Sequence, residues 1–262
     1  MTTTPVFTAL AVAALLGPWQ GAEAGRACEH KPLDAHAFQQ GLELAERVRR
    51  HLDASGAQVV VLARRGQDLD RYRLRYSHLG WAYKETGGAW RVVHKLNHCG
   101  TDRAALYRHG LGEFFLEDLH AYEAGVVIPR PDVQAKLLAV LGDNPRVQAL
   151  HTPAYNMLAY PWAQRYQQSN QWAIETLALA MEPQAHNRRQ AQAWLQFQGY
   201  QPTVLRLGAM TRLGARVTAA NIAFDDHPND KRFADRIETV TVDSVFAWLE
   251  RSGLGGATQH LR

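Results

Sequence analysis

The sequence predicts an α+β fold in which an antiparallel sheet packs on a central helix. Residues 76–83 and 90–96 are rich in aromatic and β-branched residues, and Gly87-Gly88 lies between them, so they predict a β-hairpin. Residues 169–181 carry apolar side chains at three- and four-residue spacings, which predicts a helix with a buried face. The chain has 262 residues, of which 46% are hydrophobic, and this is sufficient for one substantial core.

The first residues predict export. Residues 6–16 form an apolar run, and Ala22-Glu23-Ala24 fits the A-x-A pattern of a cleavage site, although no Lys or Arg precedes the run. The run is too short to cross a bilayer core of about 30 Å as a helix. We therefore predict a signal peptide over residues 1–24 and a periplasmic protein without a stable membrane span.

The helices and strands before the central helix are predicted from the spacing of apolar residues and from capping and turn residues. Asp34 is the predicted N-cap of a helix over residues 35–52, whose apolar positions fall on one side. Residues 58–63 are apolar on both sides, as expected for a central strand. A charged loop, residues 64–74, leads into the hairpin. After the hairpin we predict helices over 103–107 and 112–122, a strand over 124–129, a helix over 131–141 and an irregular aromatic segment over 152–168.

The remainder of the chain is predicted to add helices and strands around this core. The single domain then covers residues 25–252, and the tail, residues 253–262, is predicted to be disordered. The predicted elements are helices over 187–198 and 202–213, the second ended by Gly214, strands over 217–224 and 237–242, and a last helix over 243–251 capped by Asp243.

The hairpin carries two histidines. If its turn is centred near Thr86, His78 pairs with His94, Gly80 with Val92 and Ala82 with Trp90, so both imidazoles project from one face of the sheet. A slip of one residue would send them to opposite faces. Ser169, at the start of the central helix, is the predicted N-cap and supplies a hydroxyl. Two imidazoles and a hydroxyl on separate elements are a layout for nucleophilic catalysis.

Three blocks of the sequence resemble a known family. Residues 76–101, 155–172 and 226–248 resemble the bacterial family of unknown function numbered 2145. More remotely, the order of a histidine on a strand, a polar residue on the next strand and a nucleophile at a helix start is similar to the permuted NlpC-type papain-like superfamily. That resemblance implies a papain-like fold and the cleavage or transfer of acyl groups on amides and esters, with peptidoglycan peptides as the expected substrate.

The same resemblance implies roles for particular residues. Ser169 stands where the superfamily has its cysteine nucleophile, so His78 would act as the base and His94 would hold the ring of His78 in the required tautomer. Backbone N–H groups at the helix start would stabilise an oxyanion. Because a serine hydroxyl is far less acidic than a thiol, a binding or structural module without catalysis is the alternative. The predicted substrate-binding residues are Tyr76, Tyr155, Asn156, Asn170 and Trp172.

Composition and motifs exclude several other classes. The net charge is +4 with both signs intermixed, and no basic stripe with interleaved aromatics indicates nucleic-acid binding. The chain contains no HExxH, CxxC, Walker, GxSxG or GxGxxG motif. Asp225-Asp226-His227 is followed by a strong turn signal and favours a loop over a metal site. We therefore expect no metal and no cofactor, and the sequence leaves the oligomeric state open.

The two cysteines of the chain, Cys28 and Cys99, are predicted to form a disulfide, because an exported chain with two thiols most simply joins them. Two alternatives stay open: Cys99, beside His98 and Gly100, as the nucleophile, and Cys28 as a lipidated residue. The last is disfavoured because Gly25-Arg26-Ala27 lacks the apolar residue that starts a lipobox.

The disulfide predicts a loss of stability on reduction. Removing it by Cys99→Ser should lower the free energy of unfolding by about 4 kcal/mol, since the cross-link restricts the unfolded chain. Urea unfolding of the variant and of the wild type with and without reductant measures the effect. Two titratable thiols in the unfolded, unreduced wild type would contradict the pairing.

Overall fold

The computed structural model describes residues 34–117 and 119–262, and its central feature is a six-stranded antiparallel sheet in the order β4-β3-β2-β1-β5-β8. The predicted α+β class and antiparallel sheet are confirmed. The strands of this sheet are β1 (Val59–Arg65), β2 (His78–Lys84), β3 (Trp90–Asn97), β4 (Ala104–Gly110), β5 (Ala121–Val127) and β8 (Gln259–Leu261). A separate two-stranded ribbon is made of β6 (Thr203–Arg206) and β7 (Arg236–Thr239).

Helices cover both faces of the large sheet. They are α1 (Ala35–Ser55), α2 (Leu111–Leu116), α3 (Pro131–Leu141), α4 (Asn144–Gln148), α5 (Ser169–Met181), α6 (Arg188–Phe197), α7 (Ala209–Thr218), α8 (Asn229–Phe233) and α9 (Val242–Arg251). Among the described residues, no helix combines the length and the apolar character that crossing a bilayer requires. The predicted signal peptide and Cys28 lie outside the described residues.

Two hydrophobic layers sandwich the sheet because its strands alternate. Val59 and Val61 of β1 belong to the core that contains α3, α5 and α9, whereas Val60 and Leu62 belong to the core that contains α1 and α2. The strand β1 lies between β2 and β5. A strand buried on both faces has a continuous apolar run, which confirms the sequence prediction for this segment.

The hairpin of β2 and β3 forms, but in a register two residues from the predicted one. Ala82 pairs with Val92 rather than with Trp90, which instead faces Lys84. The turn, residues 85–89, holds Gly88 at φ +83, a backbone conformation that glycine adopts without strain. Because side chains alternate with a period of two, this shift leaves both histidines on the same face.

Several other segments differ from the sequence predictions. Residues 103–107, predicted as a helix, largely belong to β4, and the helix predicted over 112–122 ends at Leu116. The helix predicted over 202–213 is replaced by β6 and α7, which continues through Gly214 to Thr218, where a strand was predicted. The cap of α9 is Thr241, not Asp243.

The chain end is ordered, so the prediction of a disordered tail over residues 253–262 is wrong. Gln259–Leu261 forms β8 and pairs with Ala124–Val126 of β5. The Nδ1 atom of His260 lies 2.6 Å from the Tyr76 hydroxyl. The tail therefore completes one edge of the sheet.

A glycine is required at position 80, where β2 pairs with β3. An added Cβ would lie 2.8 Å from Val92 Cγ1 and 2.9 Å from His94 Cβ, both closer than a real side chain tolerates. We expect Gly80→Ala to lower the free energy of unfolding by about 1–3 kcal/mol through overpacking. In the same hairpin, a Cβ added at Gly87 would meet nothing within 4 Å, so Gly87→Ala is the matched control. Urea unfolding that shows equal effects of the two substitutions would contradict this packing.

Candidate functional site

A cleft of about 770 Å³ opens where β2 begins. It brings together residues from β1, the start of β2, the end of β3 and the start of α5. Four of the polar residues on its wall were predicted to be functional or redox-active, namely His78, Cys99, Tyr155 and Ser169. The other polar side chains that line it include Arg64, Ser77, Asn97 and Glu117.

Three histidines form a hydrogen-bonded chain from this cleft into the sheet. His78 Nε2 lies 2.8 Å from His94 Nδ1, and His94 Nε2 lies 3.1 Å from His109 Nδ1. The rings of His78 and His94 pack against Phe114 of α2, with centroids 6.0 and 5.2 Å away. The two imidazoles predicted to share a face therefore do so, on the side of the sheet that α2 covers.

The central ring of this chain is uncharged at neutral pH. His94 is completely buried, and burial lowers its pKa well below 6.5, with the charge of Arg64 and the neighbouring His109 acting in the same direction. A neutral imidazole has one N–H donor and one acceptor nitrogen. The two hydrogen bonds of His94 therefore run in the same direction along the chain. When His78 Nε2 donates, its Nδ1 is the basic nitrogen.

His109 is a member of this chain that the sequence interpretation missed. The segment before it was predicted as a helix, whereas it is β4, which pairs with β3 so that His109 faces Val92. The alternation of polar and apolar residues there is too short to reveal a strand without its partner. Only the pairing with β3 reveals the third imidazole.

Arg64 was also missed, because residue 64 was assigned to a charged loop. It extends β1 and pairs with His78 across the ladder. Although only 4% exposed, its guanidinium donates to the Phe114 carbonyl and to Glu117 and lies 4.8 Å from the Phe114 ring centroid. The cleft therefore contains a buried cation within its own network of polar groups.

Ser169 is the first residue of α5 rather than its N-cap, so that prediction is wrong. Gln168 is the N-cap, and its side-chain oxygen accepts from the Asn170 N–H at 2.8 Å. The hydroxyl of Ser169 therefore does not cap the helix. It contacts the Tyr155 hydroxyl, and this contact offsets part of the rise in the pKa of Tyr155 that burial causes.

Ser169 and His78 approach the cleft from different faces of the sheet. α5 packs on the face that carries Leu79 and Trp81, whose Nε1 donates to the Ala173 carbonyl at 2.9 Å. Asn170 fixes the helix start against β2, because its Oδ1 accepts from Leu79 N at 3.1 Å. Ser169 and His78 both line the cleft where β2 begins, although Ser169 is itself buried.

The predicted substrate-binding residues divide into two groups. Tyr155 lines the cleft, whereas Tyr76, Asn156, Asn170 and Trp172 are buried and do not line it. Tyr76 packs on Gly125 and contacts Phe246, and Trp172 lies in the core beneath α5. Asn156 Nδ2 donates to the Ala223 carbonyl at 2.9 Å. These four residues therefore do not form the surface of the cleft.

Cys99 is exposed and lies on the cleft wall. Its predicted partner, Cys28, lies outside the described residues, so the disulfide stays a prediction. The predicted loop at Asp226 and His227 is internally bonded: the Asp226 carboxylate contacts His227 Nδ1 at 3.0 Å and accepts from Tyr160 N at 2.8 Å. Within residues 34–117 and 119–262, no group of His, Cys, Asp and Glu is arranged to hold a metal ion.

A buried ionic network holds the irregular segment that precedes Ser169. Glu175 of α5 is completely buried and pairs with Arg188 at 2.8 Å, and Arg188 also donates to the carbonyls of Gln164 and Tyr166. Gln167 donates to the same Glu175 carboxylate and accepts from Lys95 Nζ at 2.9 Å. Satisfied hydrogen bonds compensate the cost of burying these charges. The network fixes the approach of the chain to α5.

Lys95 makes stability depend on pH. Burial, reinforced by the charge of Arg188, lowers its pKa from 10.5 to about 6. Between these two values the unfolded chain binds more protons than the folded one, so the free energy of unfolding should rise with pH by up to about 1.4 kcal/mol per unit. Lys95→Met should flatten the slope measured by urea unfolding from pH 7 to 9. The exposed Lys136 of α3 is the control, and a flat wild-type curve would contradict the shift.

Comparison with known proteins yields one match. The family model described as an uncharacterized protein conserved in bacteria (DUF2145) matches residues 51–249. No curated protein and no solved structure matches the chain. The matched residues include most of the large sheet, the histidine chain, the cleft and α5. The chain is therefore a member of the bacterial DUF2145 family.

Proposed function

We propose that the chain is an exported cell-envelope hydrolase or acyltransferase that acts on amide or ester bonds through Ser169, His78 and His94. The observation that carries this proposal is the His78–His94 hydrogen bond, 2.8 Å long, at a cleft that Ser169 also lines. The helix α5 against an antiparallel sheet is consistent with a permuted NlpC-type papain-like fold, which we include in the proposal. Export to the periplasm rests on the predicted signal peptide.

His78 is the proposed general base. Since its Nε2 is bonded to His94, Nδ1 is the nitrogen through which it would take the Ser169 proton. His94, buried and neutral, would accept from His78 Nε2 through its Nδ1 and so fix the tautomer of His78 in which Nδ1 is basic. The serine oxygen would then attack the carbonyl carbon, and the proton on His78 would pass to the departing amine or alcohol. Water or a second acceptor would release the acyl group from Ser169.

The start of α5 would support the negative charge that develops on the carbonyl oxygen. The helix has its positive dipole end at Ser169. The N–H of Asn170 is already bonded to the Gln168 side chain, so the backbone N–H of Ser169 is the proposed oxyanion donor. When the Ser169 side chain turns towards His78, its hydroxyl would lose the contact with Tyr155.

The contact between Ser169 and Tyr155 favours a second candidate function. A hydroxyl held by a buried tyrosine is suited to ligand binding without covalent chemistry. In this alternative, the cleft recognises an envelope amide or ester and does not cleave it. Catalytic hydrogen bonds often form only when substrate is bound, so the unliganded geometry is compatible with both functions.

A serine-directed fluorophosphonate probe separates the two functions. We expect the wild type to be labelled, Ser169→Ala to lose labelling, and His78→Gln to be labelled about 10²–10⁴ times more slowly because the general base is absent. Mass spectrometry of the labelled chain locates the adduct, and Ser169→Cys should react with iodoacetamide at the same position.

The matched control is Ser77→Ala, which removes another hydroxyl of the same cleft, one that accepts from Gly66 N at 2.9 Å. It should be labelled at the wild-type rate. Labelling lost in Cys99→Ala but kept in Ser169→Ala would transfer the role to Cys99. A wild type that binds envelope fragments but is not labelled would establish the binding module.

A further inference from the structure

The helix α7 exposes its large apolar side chains. Met210, Leu213 and Val217 are 79%, 56% and 77% exposed, and their spacing puts them on one side of the helix. The small residue Ala215 packs inwards against the core of the β6–β7 ribbon. A helix of a globular protein normally turns its large apolar residues to the core. This one turns them to the surface.

Four arginines lie around this helix. A shallow cavity of about 530 Å³ is lined by Arg71, Arg73 and Arg206. Thr211 of α7, the neighbour of Met210, lines it too. Arg216 is exposed on α7 itself, whose sequence contains no acidic residue. In the part of the chain that the structure describes, none of these four arginines forms an ion pair. The nearby Asp235 is already paired with Arg212 at 2.5 Å.

We propose that this surface binds a membrane rich in anionic phospholipid. We define the α7 surface as Met210, Leu213, Val217, Arg71, Arg73, Arg206 and Arg216. An apolar stripe beside guanidinium groups matches a lipid interface, where acyl chains receive the stripe and phosphates receive the arginines. A protein partner would need carboxylates placed opposite each arginine, whereas lipid head groups move to meet them.

The α7 surface is continuous in sequence with one wall of the cleft. Residues 218–221, which follow Val217 directly, line the cleft wall near Ser169. A chain that lies on a membrane through α7 would hold this wall close to the lipid surface. The binding itself is independent of the chemistry proposed for Ser169, so either proposal can fail without the other.

Vesicle co-sedimentation of the full chain tests the proposal. Vesicles of phosphatidylcholine with phosphatidylglycerol should bind the wild type more tightly than phosphatidylcholine alone, and added salt should weaken the difference. The triple variant Met210→Ser, Leu213→Ser, Val217→Ser should bind at least about tenfold more weakly because its apolar insertion is lost. Arg206→Gln with Arg216→Gln should weaken binding to anionic vesicles about tenfold and leave binding to neutral vesicles unchanged.

Matched controls lie elsewhere on the surface. Phe197→Ser removes an apolar side chain that is 86% exposed on α6, and Arg47→Gln with Arg189→Gln removes the same charge as the arginine pair. Both controls should bind like the wild type, and the N-terminal residues are common to every variant. Equal binding by all variants would overturn the proposal. So would a triple variant that loses self-association in sedimentation velocity while its vesicle binding is unchanged, since a second copy would then occupy the surface.

Discussion

The pairing of β2 with β3 is the constraint on which the candidate site depends. Their register places His94 beside Gly80, whose missing side chain lets the imidazole lie across the strand towards His78. The neighbouring ladders add Arg64 from β1 and His109 from β4 to the same region. The backbone pairing of four strands thus brings together four polar side chains from separate segments of the sequence.

The site is supported from below by ionisable side chains that are buried away from water. Lys95 and Glu175 are both completely buried, and Arg188 is nearly so. Such groups are costly unless every donor and acceptor is satisfied, and here the carbonyls of the segment before α5 supply many of the partners. The segment has little regular structure of its own, so the buried charges give it a defined path. The position of Ser169 depends on that path.

Much of the fold could be predicted because its signals are local. The Asp34 cap, the apolar run of β1, the hairpin and the span of α5 all follow from periodicity and turn residues. The predicted hairpin register was wrong by two residues. A shift of two residues leaves each side chain on the same face of the sheet, so the prediction that both imidazoles share one face is confirmed. His78 and Ser169 both line the cleft, but the predicted approach of the hydroxyl to the imidazole stays a prediction, and the contact of that hydroxyl with Tyr155 was not predicted.

The errors have a common physical cause. Ala104, Ala105 and Leu106 favour helices intrinsically, yet pairing with β3 makes them a strand, and Thr203–Arg206 becomes a strand through β7 in the same way. Arg64 and His109 were missed because their importance arises from tertiary pairing. Gln168 rather than Ser169 is the cap, because its side-chain oxygen accepts from the Asn170 N–H.

The strand β8 has a consequence for the molecule as a whole. An uncovered β5 would present a row of unpaired backbone amides and carbonyls, which is a template for sheet growth between molecules. Gln259–Leu261 occupies that row with only three residues, immediately before the last residue of the chain. Because an edge strand of three residues offers few groups for pairing, β8 disfavours sheet growth between molecules.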